Sequence, residues 1–217
     1  MEIETSKTTE QTSFEKTDYK LDPLGSSVLK YIKSIKGLEK GVLAGGYLRD
    51  LVGKKMFKDI DIFLPRQDLG VTNNIIKGLS GDYKYVTGKH ETFGHSAYNS
   101  LQFYVWDVNN LGEIPIQIIV TTFPERDFLP NLIKSFDFGM CQIFTEDSDI
   151  YATENFNYDM KFNIATLLNL DKISRLPNHM KRFFRFEEKY EGLKFNCPAL
   201  ELKKKEKPIW EPTTSST

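Results

Sequence analysis

Two aspartates at alternate positions of a short strand are the residues best placed to do chemistry. The stretch Asp59-Ile60-Asp61-Ile62-Phe63 alternates polar and apolar side chains, which predicts a β-strand with both carboxylates on one face. Their side chains would lie about 7 Å apart along the strand. At about 4 Å they would repel each other by roughly 4 kcal/mol at an effective dielectric constant near 20. A divalent cation removes that cost, and Mg²⁺ favours a few carboxylates together with phosphate oxygens and water.

A glycine pair precedes these aspartates. The apolar run Val42-Leu43-Ala44 stops at Gly45-Gly46, and a helical turn with Leu48 and Leu51 on one side follows. Glycine lets backbone N–H groups approach a phosphate at the start of a helix, where the helix dipole favours anions. Each feature also has an ordinary explanation, since such glycine pairs often form plain turns and such aspartates often face solvent. Their combination favours a triphosphate cradle facing a metal site, with room for two metal ions that act on the reacting oxygens.

Arg126 and Asp127 stand where a helix with Phe128, Leu132 and Ile133 on its buried side would begin. In the ordinary interpretation Asp127 caps this helix and Arg126 lies on the surface. In the functional one Arg126 faces the phosphates or sugar of a nucleotide, and Asp127 orients it through a charge-assisted pair.

A helix predicted from Asn178 to about Gly192 carries an aromatic stripe beside a basic one. Aromatic and leucine side chains recur at helical spacing on one face, and three cations follow on the adjacent face: Phe183, Phe186, Tyr190 and Leu193, then Arg182, Arg185 and Lys189. Such a pattern usually indicates a packed helix with a solvated flank. The alternative is a face that holds phosphates or an RNA end.

The remaining pattern predicts a mixed α/β (α+β) sheet flanked by helices. A helix from Ser26 to near Gly37 precedes the glycine pair, and a second helix is predicted over residues 67–77. Strands are predicted over residues 83–86, 101–108 and 114–121, with a hairpin loop at 109–112. A strand and turn are expected within 135–150. From Tyr158 onward, Met160, Ile164, Leu167 and Leu168 predict one helical face.

Length and composition limit the possibilities. The chain has 217 residues, of which 40% are hydrophobic, enough for one main domain with a small appendage. Its 29 basic and 30 acidic residues nearly cancel, so any RNA contact must come from a local patch. Its two cysteines predict neither a disulfide framework nor a metal site. With neither a leader-like apolar segment nor a run of roughly 18 apolar residues, we expect a cytoplasmic protein without membrane contact.

Several motifs resemble those of one enzyme superfamily. Gly45-Gly46-Tyr47-Leu48-Arg49-Asp50 with Asp59-Ile60-Asp61 resembles the signature of the DNA polymerase beta-type nucleotidyltransferases, as found in the head domains of class II CCA-adding enzymes and bacterial poly(A) polymerases. Further segments resemble the family's FGT, TTF, RRDFTxNA and DPLRxLRAxRF motifs in the same order: residues 92–95, 120–123, 126–131 including Asn131, and 177–186.

The resemblance implies a division of the chain into a head and a short helical neck. Residues 22–152 would form the nucleotidyltransferase head and residues 153–200 the neck, between polar tails at 1–21 and 201–217 that we expect to be disordered. Departures from the family pattern are also visible. Glu125 replaces an arginine, and Leu176 and His179 replace an acid and an arginine. Gln117 and Ile119 stand where many members have a third carboxylate, for which Asp107 is a weak substitute.

The function implied is transfer of a nucleoside monophosphate from an NTP such as ATP to an acceptor hydroxyl, with release of pyrophosphate. The acceptor implied is an RNA or tRNA 3′ end, which is a tRNA-processing role. Asp59 and Asp61 would be the catalytic, Mg²⁺-binding residues. The residues expected to bind the nucleotide are Gly45, Gly46, Arg49, Arg126, Asp127, Asn131, Arg182 and Arg185.

Three alternatives stay open at this point. The acceptor could be a protein or a small molecule, because the family's tRNA-binding body is not recognisable in this sequence. The protein could also be an inactive binder of nucleotide or RNA, as Gln117 and the altered motifs suggest. Finally, Arg49 and Asp50 could simply pair with each other or with the strand below.

Overall fold

A five-stranded mixed sheet forms the centre of the protein. A computed structural model describes residues 13–66, 85–86, 99–106, 113–170 and 173–200. The strand order is β2-β3-β6-β5-β4, and β3 and β6 are parallel whereas the other neighbours are antiparallel. These strands are β2 (Val42–Leu43), β3 (Ile60–Leu64), β4 (Tyr85–Val86), β5 (Asn99–Trp106) and β6 (Glu113–Val120). The mixed sheet with flanking helices confirms the predicted fold class, and β6 lies beside the strand of the two aspartates as expected.

Helix α1 (Pro23–Ser34) starts earlier than the sequence pattern predicted. The Asp22 side chain caps it by accepting a 2.7 Å hydrogen bond from the Gly25 amide, and Pro23 occupies the first turn. The predicted helix start at Ser26 is therefore wrong, because an aspartate followed by proline is the stronger start signal. Helix α2 (Gly46–Val52) follows β2 directly, so the predicted strand, glycine turn and helix are confirmed.

A second sheet contains a strand from the predicted N-terminal tail. Strand β1 (Glu15–Lys20) pairs with β8 (Asp149–Ala152), which pairs with β7 (Ile143–Glu146). The Phe14 ring packs edge-on against Phe144 at 5.0 Å. The prediction of a disordered tail is therefore wrong for residues 15–20. Most β1 side chains are exposed, so this strand has little of the apolar alternation by which strands are recognised.

The C-terminal part alternates helices with short strands. Its helices are α3 (Phe128–Ser135), α4 (Glu154–Phe162) and α5 (Leu176–Glu187), and its strands are β9 (Ile164–Thr166) and β10 (Lys194–Asn196). In the described residues of this part, 3-10 segments lie at Glu125–Asp127, directly before α3, and at Gly139–Cys141 and Ile173–Arg175. The predicted helical face from Met160 to Leu168 is wrong. Asn163 ends α4 in a left-handed conformation with φ of 53°, and Ile164–Thr166 then pairs in parallel with β10.

Helix α5 shares a hydrophobic core with the middle of the chain. It ends at Glu187, earlier than the predicted end near Gly192. The predicted aromatic stripe, which continues past the helix to Leu193, is buried and contacts the segment around Phe138, Met140 and Cys141. This core joins residues on both sides of the predicted boundary at 152, while the division into head and neck stays a prediction. Among the residues described, no helix is long and apolar enough to cross a membrane.

Several sequence predictions fall outside the described residues. They are the helix at 67–77, the motif at 92–95, Asp107, the hairpin loop at 109–112, and the tails at 1–12 and 201–217.

Candidate active site

Strand β3 presents the two aspartates as its alternation predicted. Ile60 and Ile62 are fully buried, whereas Asp61 and the preceding Asp59 remain partly exposed on the opposite face. In the parallel register with β6, Asp61 lies opposite Gln117. Gln117 is buried and carries an amide, so the strand neighbour of Asp61 supplies no third carboxylate.

The electrostatics of this pair are unfavourable without a cation. Burial raises the pKa of Asp61 to about 7, and the negative charge of Asp59 contributes to the rise. Burial also raises the pKa of Asp59, against the opposing positive charge of Lys189. Neither carboxylate has a hydrogen-bond donor or an ion-pair partner within the part of the chain that the structure describes.

The donor set fits a Mg²⁺ ion. Two unpaired, partly buried carboxylates on one face supply hard oxygen ligands and a charge that needs compensation, and Mg²⁺ fills the rest of its octahedron with water and phosphate oxygens. Among the described residues there is no group of three or more acidic, histidine or cysteine side chains that could hold a metal without such outside ligands.

The glycine turn lies at the start of α2. Gly45 has φ of 77°, in the region that favours glycine, and its amide donates a 3.0 Å hydrogen bond to the Ile143 carbonyl. That amide is therefore engaged and unavailable to a phosphate. At Gly46 the nearest atom to an added Cβ would be an Arg49 nitrogen 3.8 Å away. Gly46 is thus the member of the pair with open space beside it.

Arg49 and Asp50 are buried and bonded to each other. The Arg49 Nε atom donates to Asp50 Oδ1 at 2.7 Å, and the Arg49 guanidinium stacks over the Phe186 ring at 4.4 Å. Another guanidinium nitrogen donates to the Cys141 sulfur at 3.4 Å. The alternative in which the two pair with each other is confirmed, and Arg49 links α2 to α5. A nucleotide-binding role for Arg49 stays a prediction.

Asp50 also accepts hydrogen bonds from the end of the α5 region. The Tyr190 hydroxyl donates to Asp50 Oδ1 at 3.1 Å, and the Lys189 ammonium donates to Asp50 Oδ2. These contacts bring Lys189 close enough to Asp59 to be the strongest positive charge acting on it. Lys189 was assigned only to the basic stripe in the sequence, and nothing local indicated that Asp50 would bind it.

Arg182 lies between the aspartate pair and a second buried carboxylate. It donates to Asp137 Oδ2 at 2.6 Å and is the strongest positive charge opposing the pKa rise of Asp61. His179 Nδ1 lies 3.0 Å from the same Asp137 oxygen. Asp137, which is only 6% exposed, therefore positions an arginine of the predicted nucleotide-binding set.

The structure does not bring the other predicted residues into contact with Asp59 or Asp61, as far as it describes the chain. Arg126 is exposed and pairs with Asp127 at 3.3 Å. Asp127 precedes α3 without a side-chain capping bond, so the predicted cap is wrong, whereas the predicted surface position of Arg126 is confirmed. The Arg126–Asp127 pair is present, and contact of Arg126 with a nucleotide stays a prediction. Asn131 is partly buried on α3, and Arg185 is exposed on α5. Their roles in binding a nucleotide stay predictions.

Comparison with known proteins relates this fold to tRNA-processing enzymes. No protein-family model and no curated protein matches the chain. Among solved structures, it is similar to the Thermotoga maritima CCA-adding enzyme complexed with tRNA, at 18% identity and a TM-score of 0.60 over 90% of this chain and 45% of that one. A CCA-adding enzyme with CTP has a TM-score of 0.62 at 17% identity, covering 90% and 46% of the two chains.

An apo tRNA-processing enzyme is similar as well, with a TM-score of 0.59 at 15% identity, covering 88% of this chain and 48% of that one. The chain spans less than half the length of these three proteins. At such low identity the likeness concerns the fold. The protein has a mixed α/β fold like that of part of these CCA-adding and tRNA-processing enzymes.

Proposed function

We propose that the protein is a metal-dependent nucleotidyltransferase that adds a nucleoside monophosphate from an NTP to the 3′ hydroxyl of an RNA, with tRNA as the leading acceptor. The observation that carries this proposal is the unpaired aspartate pair of the β3 segment, together with the open Gly46 at the start of α2 and four cations whose charges act on the pair. Those cations are Arg49, Lys58, Arg182 and Lys189. Acidic ligands for a metal beside donors for phosphate are the combination that nucleotidyl transfer requires.

Asp59 and Asp61 would hold Mg²⁺. When bound there, the ion would neutralise the two carboxylates and supply the positive charge that polarises phosphate oxygens and lowers the pKa of a hydroxyl. The protein's own part is to keep the pair partly buried on a rigid strand. The fully buried Ile60 and Ile62 anchor that strand in the core.

The surrounding residues would place the triphosphate. Gly46 leaves space for a phosphate next to α2, and Arg182, held by Asp137, can donate to phosphate oxygens. The acceptor oxygen would form a bond to the α-phosphorus while the bond to the bridging oxygen of pyrophosphate breaks, and the hydroxyl proton passes to solvent. Catalysis would come from positioning and electrostatic stabilisation.

The test is transfer of label from each α-labelled NTP, with Mg²⁺, to total RNA and to total protein. Asp59→Asn and Asp61→Asn serve as matched variants, since each removes one charge without changing side-chain size. We expect labelled RNA with the wild type and a loss of at least about a thousandfold with either variant. Unchanged transfer by the double variant would overturn the assignment.

The same experiment distinguishes the alternatives. If the label appears on protein, the acceptor is a protein and not RNA. Gln117 opposite Asp61 is the specific observation that favours an inactive binder, and such a binder would retain NTP without releasing pyrophosphate in the presence of any acceptor. The α-labelled NTP from which label is transferred identifies the nucleotide substrate.

A further inference from the structure

A buried carboxylate holds Lys189 beside the aspartate pair. Asp50 is only 2% exposed, and it accepts the Lys189 ammonium on one oxygen and the Arg49 and Tyr190 donors on the other. The side chain of Lys189 is 22% exposed, so part of it reaches solvent. Asp50 therefore fixes the position of a lysine that would otherwise sample many rotamers.

The hydrogen-bonding capacity of Lys189 is only partly used. An ammonium group has three N–H donors, and among the described residues only Asp50 accepts one of them. Its remaining donors can bind oxygen atoms from outside the protein. A strongly hydrated point charge of this kind suits a phosphate oxygen.

The charge around Asp50 also favours an anion. Arg49 and Lys189 bring two positive charges to one carboxylate, which leaves one positive charge next to Asp59. Lys58 acts on Asp59 as well, and the Lys55 ammonium lies 5.6 Å from the Tyr190 ring centre. Both lysines are exposed. This side of the aspartate pair is therefore a basic surface with one lysine held in place.

We propose that Lys189, oriented by Asp50, binds a phosphate group next to Asp59. This inference rests on the proposed function, which places phosphates at that position. Two phosphates carry the required chemistry: one of the NTP, or the phosphodiester that precedes the RNA 3′ end. Lys189 thereby extends the site with a residue that follows α5 and that the sequence motifs did not contain.

The experiment measures the affinity of Lys189→Met for each phosphate source separately. Dissociation constants are measured with Mg²⁺ for the NTP that gives transfer, or for ATP if none does, and for a short RNA ending in a 3′ hydroxyl. We expect affinity for one of them to fall roughly tenfold, the effect of one charge-assisted hydrogen bond. If the RNA is the source, the slope of log affinity against log salt should also fall by about 1.

Lys181→Met is the matched control, because Lys181 is an exposed lysine on α5, the helix that leads to Lys189. We expect it to bind both ligands like the wild type. Wild-type affinity of a folded Lys189→Met for both ligands would overturn the proposal, and so would an equal loss with Lys181→Met.

A labelling measurement on the wild type avoids any effect of substitution on folding. Lysines are acylated in the absence and presence of NTP or RNA and quantified by mass spectrometry. We expect one ligand to protect Lys189 and to leave Lys181 unprotected; equal acylation of Lys189 in all conditions would overturn the proposal.

The proposed function can fail separately. Lys189-dependent binding without nucleotide transfer by the wild type would contradict the function and keep the phosphate site. Transfer by the wild type together with unchanged binding by Lys189→Met would support the function and contradict the phosphate site at Lys189.

Discussion

At the scale of single residues, the aspartate pair destabilises the folded protein when no cation is bound, and the same two carboxylates can bind a cation. Asp61 has an ordinary pKa of 3.8 and a pKa of about 7 in the folded protein. The folded state therefore binds its proton more tightly than the unfolded chain. Below pH 3.8 the Asp61 carboxyl is protonated in both the folded and the unfolded state and does not change the free energy of unfolding. As pH rises from 3.8 to about 7, the carboxyl lowers the free energy of unfolding progressively, and above about 7 this destabilisation stays constant.

We therefore predict that Asp61→Asn is more stable than the wild type at pH 8 in the presence of EDTA. The shift corresponds to an upper limit of about 4 kcal/mol. Thermal melts between pH 4 and 8 would measure the difference, which should shrink toward acid pH. Saturating Mg²⁺ should also shrink it at pH 8 by stabilising the wild type alone. A difference that is independent of pH would contradict the raised pKa of Asp61.

Asp50 is the residue whose loss should cost most stability around the site. Asp50→Ala leaves the buried Arg49 guanidinium without its carboxylate, and removal of one partner of a buried ion pair costs about 3–5 kcal/mol. Urea unfolding would measure this loss. Asp149→Ala is the matched control because it breaks an exposed pair with Lys16 at 2.6 Å, worth less than about 1 kcal/mol. Equal losses for the two variants would contradict the role given to Asp50.

At the scale of elements, α2 and α5 fit together closely. Gly53 directly follows α2, and an added Cβ there would lie 2.7 Å from the Tyr190 ring and hydroxyl. Its φ of −73° suits any residue, so the obstacle is steric. We predict that Gly53→Ala lowers the free energy of unfolding by about 1–3 kcal/mol. The same variant should weaken nucleotide transfer, because α5 carries Arg182 and leads to Lys189.

Gly46→Ala is the comparison variant within α2. An added Cβ at Gly46 would have its nearest contact at 3.8 Å, so we predict wild-type stability within about 0.5 kcal/mol. If Gly46 borders the triphosphate as proposed, this variant should still raise KM for the NTP. Urea unfolding and initial rates would separate the two effects. A strongly destabilised Gly46→Ala would show that the open space at Gly46 is misjudged.

At the scale of the whole molecule, the N-terminal segment adds an outer strand to the second sheet. Phe14 packs on Phe144, which is itself only 1% exposed in the core. We predict that Phe14→Ala costs about 2 kcal/mol, below the range for a fully buried phenylalanine because Phe14 is only partly buried. Thermal melts would measure it, with Tyr19→Ala as the control, since Tyr19 is 43% exposed on β1, the strand that Phe14 precedes. Equal effects would contradict the docking of this segment.

Features that depend on short-range periodicity could be predicted from the sequence alone. Alternation placed Asp59 and Asp61 on one face of β3, the glycine pair marked the start of α2, and 3.6-residue spacing identified the buried faces of α3 and α5. The order of the motifs along most of the chain also indicated a fold like that of CCA-adding enzymes. For the strand, the turn and the helix faces, the signal and the structure lie within the same few residues.

Contacts between residues that are distant in the sequence became known from the tertiary structure. Asp50 and Lys189 are 139 positions apart, and Asp137 and Arg182 are 45 apart. Strand β1 exists because β8 offers it an edge, and α4 ends at Asn163 because the chain turns to pair β9 with β10. Periodicity within one element carries no information about its partner. The carboxylates that hold Arg182 and Lys189 near the aspartate pair were therefore visible only once the chain had folded.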